Sequence, residues 1–382
     1  MIIFRNIQND AVMRALAAGE LDEDAMLALT EFAELGAVGT DVLCEYVITL
    51  LVNDDNTLAR VISAGKRPGA SLTEAACSEL VELLRLISEH SFDYIPSGKI
   101  AKYFSLYEKS ILDMCAAKSA PELFKLLCGH YGCLGVGDFG RYIAFMQKED
   151  GISPIESPDT MSFDRLVGLE HIKKVLCDNC ELLLGGKAAN NVLLFGDRGT
   201  GKSSCVKALL NMYCGRGLRV IEIPKSAIGK IPALFSQLGS KPQKFILYLD
   251  DLSFEKHETE YRSLKVAMDG QLGVMPKNVI ICATSNRRHL IKENWKDREG
   301  GDVHANDNMQ EMLSLSERFG ISLVFAAPNQ REYLDIVAKL LEKRGIEINS
   351  EIEQQAIVWQ MNYGGRTPRC AAQFAQSYAK GK

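Results

Sequence analysis

The stretch LLFGDRGTGKSSCVKALL, Leu193 to Leu210, decides the fold. An apolar run enters a glycine-rich turn, meets a lysine and two serines, and resumes with helix-forming residues. Gly196-Asp197-Arg198-Gly199-Thr200-Gly201-Lys202-Ser203 fits G-x-x-x-x-G-K-(S/T) at every fixed position, with Ser204 following. Glycines in such a turn permit positive φ and let backbone N–H groups approach phosphate oxygens. The helix that starts there adds its unsatisfied N–H groups and the positive end of its dipole. Lys202 is a mobile charge for β- and γ-phosphates, and Ser203 offers a hydroxyl to Mg²⁺.

Outward from this loop, short apolar segments alternate with helical ones. NVLLF (Asn191–Phe195), LRVIEI (Leu218–Ile223), KFILYLDD (Lys244–Asp251), VIICATS (Val279–Ser285) and SLVFA (Ser322–Ala326) read as five strands. Continuous apolar strands separated by helices predict a parallel sheet covered on both faces. From Asn329 to the end only helical patterns remain, which predicts a helical lid over 329–382. The first 150 residues read as mostly helical. In SLTEAACSELVELLRLISEH (Ser71–His90), Leu80, Leu83, Leu84 and Ile87 fall at helical spacing behind a Ser/Thr start. The proline- and serine-containing segment 151–165 reads as a linker. The expected partition is therefore a helical domain over 1–150, a linker, an α/β core over 166–328 and the lid.

The third strand ends in two carboxylates. Asp250 is the expected Mg²⁺ partner of Ser203, and Asp251 the residue that polarises an attacking water, although Asp is shorter than the Glu common at that place. The fourth strand ends in Ala283-Thr284-Ser285-Asn286-Arg287-Arg288, where Asn286 is the preferred polar tip and Ser285 the rival. Arg318, in Glu317-Arg318-Phe319-Gly320, precedes the fifth strand and is placed to reach a neighbouring subunit. Gly364-Gly365-Arg366 opens the last helix and turns Arg366 toward the phosphates.

Together these motifs resemble those of AAA+ ATPases, and more narrowly a bacterial AAA+-like family of unassigned function. The strings that carry the likeness are LVGLE (Leu166–Glu170), the loop itself, LDDLSFE (Leu249–Glu255), ATSNRRHL (Ala283–Leu290) and SLSERFG (Ser314–Gly320), over roughly residues 160–380. The resemblance implies ATP and Mg²⁺ as cofactors, and hydrolysis at the interface of a homo-oligomer. It also implies Val167 and Gly168 near adenine, Asn286 as first sensor, Arg318 as arginine finger and Arg366 as second sensor. Arg287 and Arg288 compete for the finger role, and Lys292–Met309 reads as an insertion. The implied activity is remodelling or loading of a protein or nucleic-acid partner chosen by the helical domain. Two alternatives are a nucleotide-gated module with little turnover and a small-molecule kinase. No acceptor pocket for a kinase is legible.

Composition narrows the rest. With 382 residues, two domains are expected. A net charge of −5 gives no global attraction to nucleic acid or anionic membrane. No apolar run reaches the ~18–20 residues of a membrane span, and MIIFRNIQND lacks a signal-peptide pattern, so a cytoplasmic protein is expected. The 11 cysteines then read as reduced thiols, and the Cys177/Cys180 C-x-x-C spacing as two buried helix cysteines rather than a metal or redox site. His90 and His130, lone histidines near helix ends, read as structural or solvated rather than catalytic.

Overall fold

The computed structural model describes residues 1–39, 41–94, 105–253, 259–269, 275–286 and 317–380. The helical half comprises α1 (Ala11–Ala18), α2 (Glu23–Leu35), α3 (Val42–Asn53), α4 (Thr57–Ser63), α5 (Ala70–Glu89), α6 (Ser105–Cys115), α7 (Ala120–Cys133) and the single turn α8 (Asp138–Arg141). The core follows as β1 (Ala144–Gln147), β2 (Ile152–Pro154), α9 (Glu170–Leu184), β3 (Val192–Gly196), α10 (Lys202–Tyr213) and β4 (Leu218–Glu222). It continues with α11 (Ile231–Leu238), β5 (Lys244–Leu249), α12 (Thr259–Asp269), β6 (Val279–Ser285) and β7 (Ile321–Phe325). The lid is α13 (Gln330–Glu342), α14 (Ser350–Tyr363) and α15 (Pro368–Lys380).

The sheet has seven strands in the order β2-β1-β4-β5-β6-β3-β7, all parallel except the β1–β2 pair. The five expected strands are present in the order five-one-four-three-two, a parallel α/β core followed by the helical lid. The count of five needs correcting. β1 and β2 extend the sheet beyond β4, from residues assigned by sequence to the helical domain and to the linker. A four-residue strand and a three-residue strand ending in Pro154 are too short to show a period, and sheet pairing alone makes them strands.

Strand alternation divides the core into two layers. Leu193, Ile221, Phe245, Leu247 and Ile281 face α11 and α12, whereas Val192, Leu194, Ile246, Tyr248, Ile280 and Cys282 face α9 and α10. Burial on both faces explains why the strand sequences are continuously apolar. Tyr248 and Cys282 pair across β5 and β6, so Asp250 and Thr284, two residues further on, rise together on the α10 side. The lid starts with a capping box: Asn329 Oδ1 accepts from Glu332 N at 3.0 Å, and Glu332 Oε2 accepts from Asn329 N at 2.8 Å.

The helical half has its own apolar cluster, from Phe4 to Leu134. It is tied to the core by polar side chains. Arg219 on β4 is fully buried and donates from Nε to Phe139 O at 2.7 Å and from Nη1 to Cys214 O at 3.0 Å. Buried Gln243 donates to Leu134 O. Cys177 and Cys180 both lie on α9, and all 11 cysteines are free thiols. Among the described residues no helix is long and apolar enough to cross a membrane.

His130, buried in α7 beside Ser110 Oγ at 2.9 Å, is one titrating element of this junction. Burial, aided by the positive charge of Arg219, pushes its imidazole down to about 4. Between pH 6.5 and 4 the unfolded chain therefore binds a proton that the native site refuses. Stability is full above pH 6.5 and falls by up to about 3 kcal/mol as pH drops toward 4. Urea midpoints of wild type and His130→Gln across that window check this: the variant should lose less than wild type. Equal losses would show that His130 titrates normally.

Candidate functional site

The loop after β3 leaves no freedom at its first glycine. Gly196 has φ +133°, and a Cβ there would run into the backbone of Phe325 at the end of β7. Gly199 and Gly201 have φ +74° and +103°, the left-handed region that favours glycine. Thr200, buried, donates from Oγ1 to Asp197 O at 2.7 Å, closing the turn. Asp197 anchors the loop to the β7 end, where its Oδ2 accepts from Ala327 N at 2.8 Å. Arg369 N on α15 donates to Gly199 O at 3.3 Å, so the lid rests on the loop.

Lys202 is buried and its ammonium donates to Gly196 O at 2.8 Å, Asp197 O at 2.7 Å and Asn286 Oδ1 at 3.1 Å. Burial pushes it below the ordinary lysine range, against the pull of Asp197, Asp251 and Asp250. Beside it, one oxygen of Asp250 collects four donors. Oδ1 accepts from Tyr248 OH at 2.6 Å, Thr284 Oγ1 at 2.6 Å, Ser203 Oγ at 2.9 Å and Asp251 N at 3.1 Å. Burial raises this carboxyl's pKa, but the hydroxyls of Thr284, Tyr248 and Ser203 together outweigh it and hold Asp250 below the usual carboxylate range.

Asp251 adopts φ +48°, the one non-glycine positive φ among the described residues. Asp tolerates the left-handed region better than most side chains, but the conformation still carries strain. Two contacts hold it: Asp251 N donates to Thr284 Oγ1 at 2.9 Å, and Asn286 Nδ2 donates to Asp251 Oδ1 at 2.5 Å. Asn286 therefore bridges Lys202 and Asp251, whereas Ser285 is buried within β6.

A cleft of about 610 Å³ opens above these groups, within the range of small-molecule sites. Arg198, Gly199, Thr200, Gly201, Lys202, Ser203, Ser204, Asp250, Asp251, Thr284 and Asn286 line its polar end. Leu166, Val167, Leu169, Ile336 and Leu340 form an apolar wall. Gly168 does not line it. Its φ of +79° turns the chain between Val167 and Leu169.

Two expected arginines lie apart from the cleft. Arg366 is exposed after the Gly364-Gly365 turn and does not line it, whereas Arg369, in the first turn of α15, does. Arg318 precedes β7 at the sheet end opposite the loop. Val192 pairs with Ile321 and Gly196 with Phe325, so more than ~13 Å of strand separates Arg318 from the glycine loop of its own chain. Arg287, Arg288 and the segment Lys292–Met309 lie outside the described residues. Sequence reading missed Tyr248, Thr284 and Arg369. The available signals were parity, since Tyr248 precedes Asp250 by two and Thr284 follows Cys282 by two, and the first-turn position of Arg369.

The family model described as "Protein of unknown function (DUF815)" matches residues 140–382. The chain belongs to that family. The match begins just before β1 and takes in the seven strands and the lid. Among solved structures, the chain is similar to the Thermotoga maritima RuvB Holliday junction branch migration motor at 19% identity and TM-score 0.40, over 56% of this chain and 63% of that one. It is also similar to the FIGL-1 AAA domain in complex with ADP, at 20% identity and TM-score 0.37, over 59% and 74% of the two chains. The chain thus spans less than two thirds of the RuvB structure. No curated protein matches it. The P-loop fold and the site rest on the chain's own strand order and geometry.

Thr284 is the hinge of this DUF815 site, because its one hydroxyl serves both Asp250 and the strained Asp251 backbone. Thr284→Val should cost about 1–3 kcal/mol in urea unfolding, the penalty of leaving those partners unmatched. An unchanged midpoint would show that the hydroxyl does not hold the two aspartates.

Proposed function

We propose that this chain binds ATP with Mg²⁺ and hydrolyses it at an interface between two copies. The observation that carries this reading is Ser203 Oγ at 2.9 Å from Asp250 Oδ1, at the mouth of a glycine loop whose lysine also reaches Asn286. The donor set fits the cation. A hydroxyl and a carboxylate are hard oxygens, and Mg²⁺ in such sites takes its other ligands from phosphate and water. Once bound, Mg²⁺ neutralises charge on the β- and γ-phosphates.

The chain's own groups would do the remainder. Backbone N–H groups of Gly199, Thr200, Gly201 and Lys202 cradle phosphate oxygens. The Lys202 ammonium exchanges loop carbonyls for phosphate oxygens at no new burial. Leu166, Val167 and Leu169 receive the base against the lid residues Ile336 and Leu340. Asp251 orients water and accepts its proton through the carboxylate that Asn286 holds. Arg369 takes the lid-cation place that sequence reading gave to Arg366, because it lines the cleft. Arg318, remote from its own loop, reaches the γ-phosphate of a neighbouring copy. The helical half would select a protein or nucleic-acid partner, and hydrolysis would remodel or load it in the cytoplasm. A gated module with little turnover is the second reading, supported by the short Asp251 and its 2.5 Å contact with Asn286.

Complementation separates these. Arg318→Ala alone should lose about 10³-fold in ATP turnover yet bind ATP. Mixing it with Lys202→Ala, itself unable to bind ATP, should restore turnover, since each mixed interface combines an intact loop with an intact arginine. Absence of rescue with normal folding would reject the interface reading, and no turnover in wild type would favour the gated module. In the same assay Arg369→Ala should weaken ATP binding about tenfold, the worth of one charge-assisted hydrogen bond, while Arg366→Ala should not.

A further inference from the structure

A second cavity, of about 750 Å³, lies at the other end of β5, where the helical half meets the core. Six residues of strand separate Lys244 at its wall from Asp250 in the cleft, roughly 20 Å. Arg60 and Val136 line it from the helical half, and Lys241, Pro242, Lys244 and Lys277 from the core. Among the described lining residues the one carboxylate is Asp55, and Arg60 holds it at 3.0 Å. The ammonium groups of Lys241, Lys244 and Lys277 have no hydrogen-bond or ion-pair partner among the described residues. Three lysines without an anionic partner among the described residues line one cavity, against the −5 charge of the chain.

The wall that carries two of these lysines is held in place from beneath. Asn278, buried, donates from Nδ2 to Leu238 O at 2.9 Å, Lys241 O at 3.1 Å and Gln243 O at 3.1 Å. One amide thereby ties the whole turn from α11 into β5. Gln243, also buried, joins the same turn to Leu134 across the junction. The lysines are thus displayed from a fixed backbone, as a binding site requires. Burial holds the Lys244 ammonium below the ordinary lysine range, so a close anion would relieve a cost already present.

The charges suit phosphate. An ammonium binds phosphate as a point charge, whereas planar carboxylate recognition favours the guanidinium fork, and here the single arginine is already committed to Asp55. Ala59, Val136, Pro242 and Pro276 add an apolar surface. The volume matches a small organic molecule more closely than an extended polymer.

We propose that this cavity binds a small organic phosphate of about mononucleotide size. Its phosphate is taken by Lys241, Lys244 and Lys277, and its organic part lies against Val136 and the two prolines. The site is separate from the phosphate loop, and its test does not depend on what that loop binds.

The experiment is calorimetric titration of the full chain carrying Lys202→Ala, which removes the loop ammonium, with uridine monophosphate and with inorganic pyrophosphate. Both should bind one saturable site and compete for it. The further double substitution Lys241→Gln/Lys244→Gln should weaken both at least about tenfold with an unchanged melting temperature. In the chain with intact Lys202, the same double substitution should leave ATP affinity unaltered. Three results would overturn the proposal: no saturable binding of uridine monophosphate, binding indifferent to the two lysines, or a short single-stranded oligonucleotide binding more tightly than the mononucleotide with the same lysine dependence. The last would make the cavity part of a nucleic-acid groove.

Discussion

One carboxylate oxygen organises the site. Asp250 Oδ1 receives donors from β5 itself, from β6 and from α10, so it reports the register of three elements at once. A one-residue slip of β6 would turn Thr284 to the opposite face and put Ser285 in its place. Moving α10 would withdraw Ser203. Gly196 imposes a matching constraint on the other side, because its close approach to Phe325 fixes β3 against β7. The cradle and the carboxylate are therefore placed by the sheet order, with β6 lying between β3 and β5.

Much of this is legible in the sequence. The glycine-lysine-serine spacing states its own chemistry, and five apolar runs state a covered parallel sheet. Asp250 and Asn286 were readable as polar residues at strand tips. The misses share a physical cause. β1 exists through pairing with the edge of β4 and β2 through pairing with β1, and pairing leaves no mark in a segment of three or four residues. Thr284 and Tyr248 act through which face they occupy, and that is visible only once β5 and β6 are in register. Arg366 follows two glycines and looks free to turn inward, but α15 begins at Pro368, so the first-turn residue Arg369 reaches the cleft.

The junction of the two halves is built differently from either core. Arg219, Gln243 and His130 put buried polar groups where a purely apolar seam would have sufficed. Arg219 and Gln243 each donate to a carbonyl of the helical half, so directional contacts as well as apolar packing join the two halves. β5 then runs from the lysine-lined cavity to Asp250. The strand that carries the carboxylate is thus anchored at its other end to the helical half through Gln243.

The proposed Asp250–Ser203 cation site would be shared with nucleotide phosphates. The direct measurement is ATP affinity as a function of Mg²⁺ concentration, for wild type and Asp250→Asn. ATP should bind more tightly to wild type as Mg²⁺ rises, and Asp250→Asn should keep metal-free ATP binding but lose the Mg²⁺ dependence. Identical Mg²⁺ dependence in both proteins would contradict it.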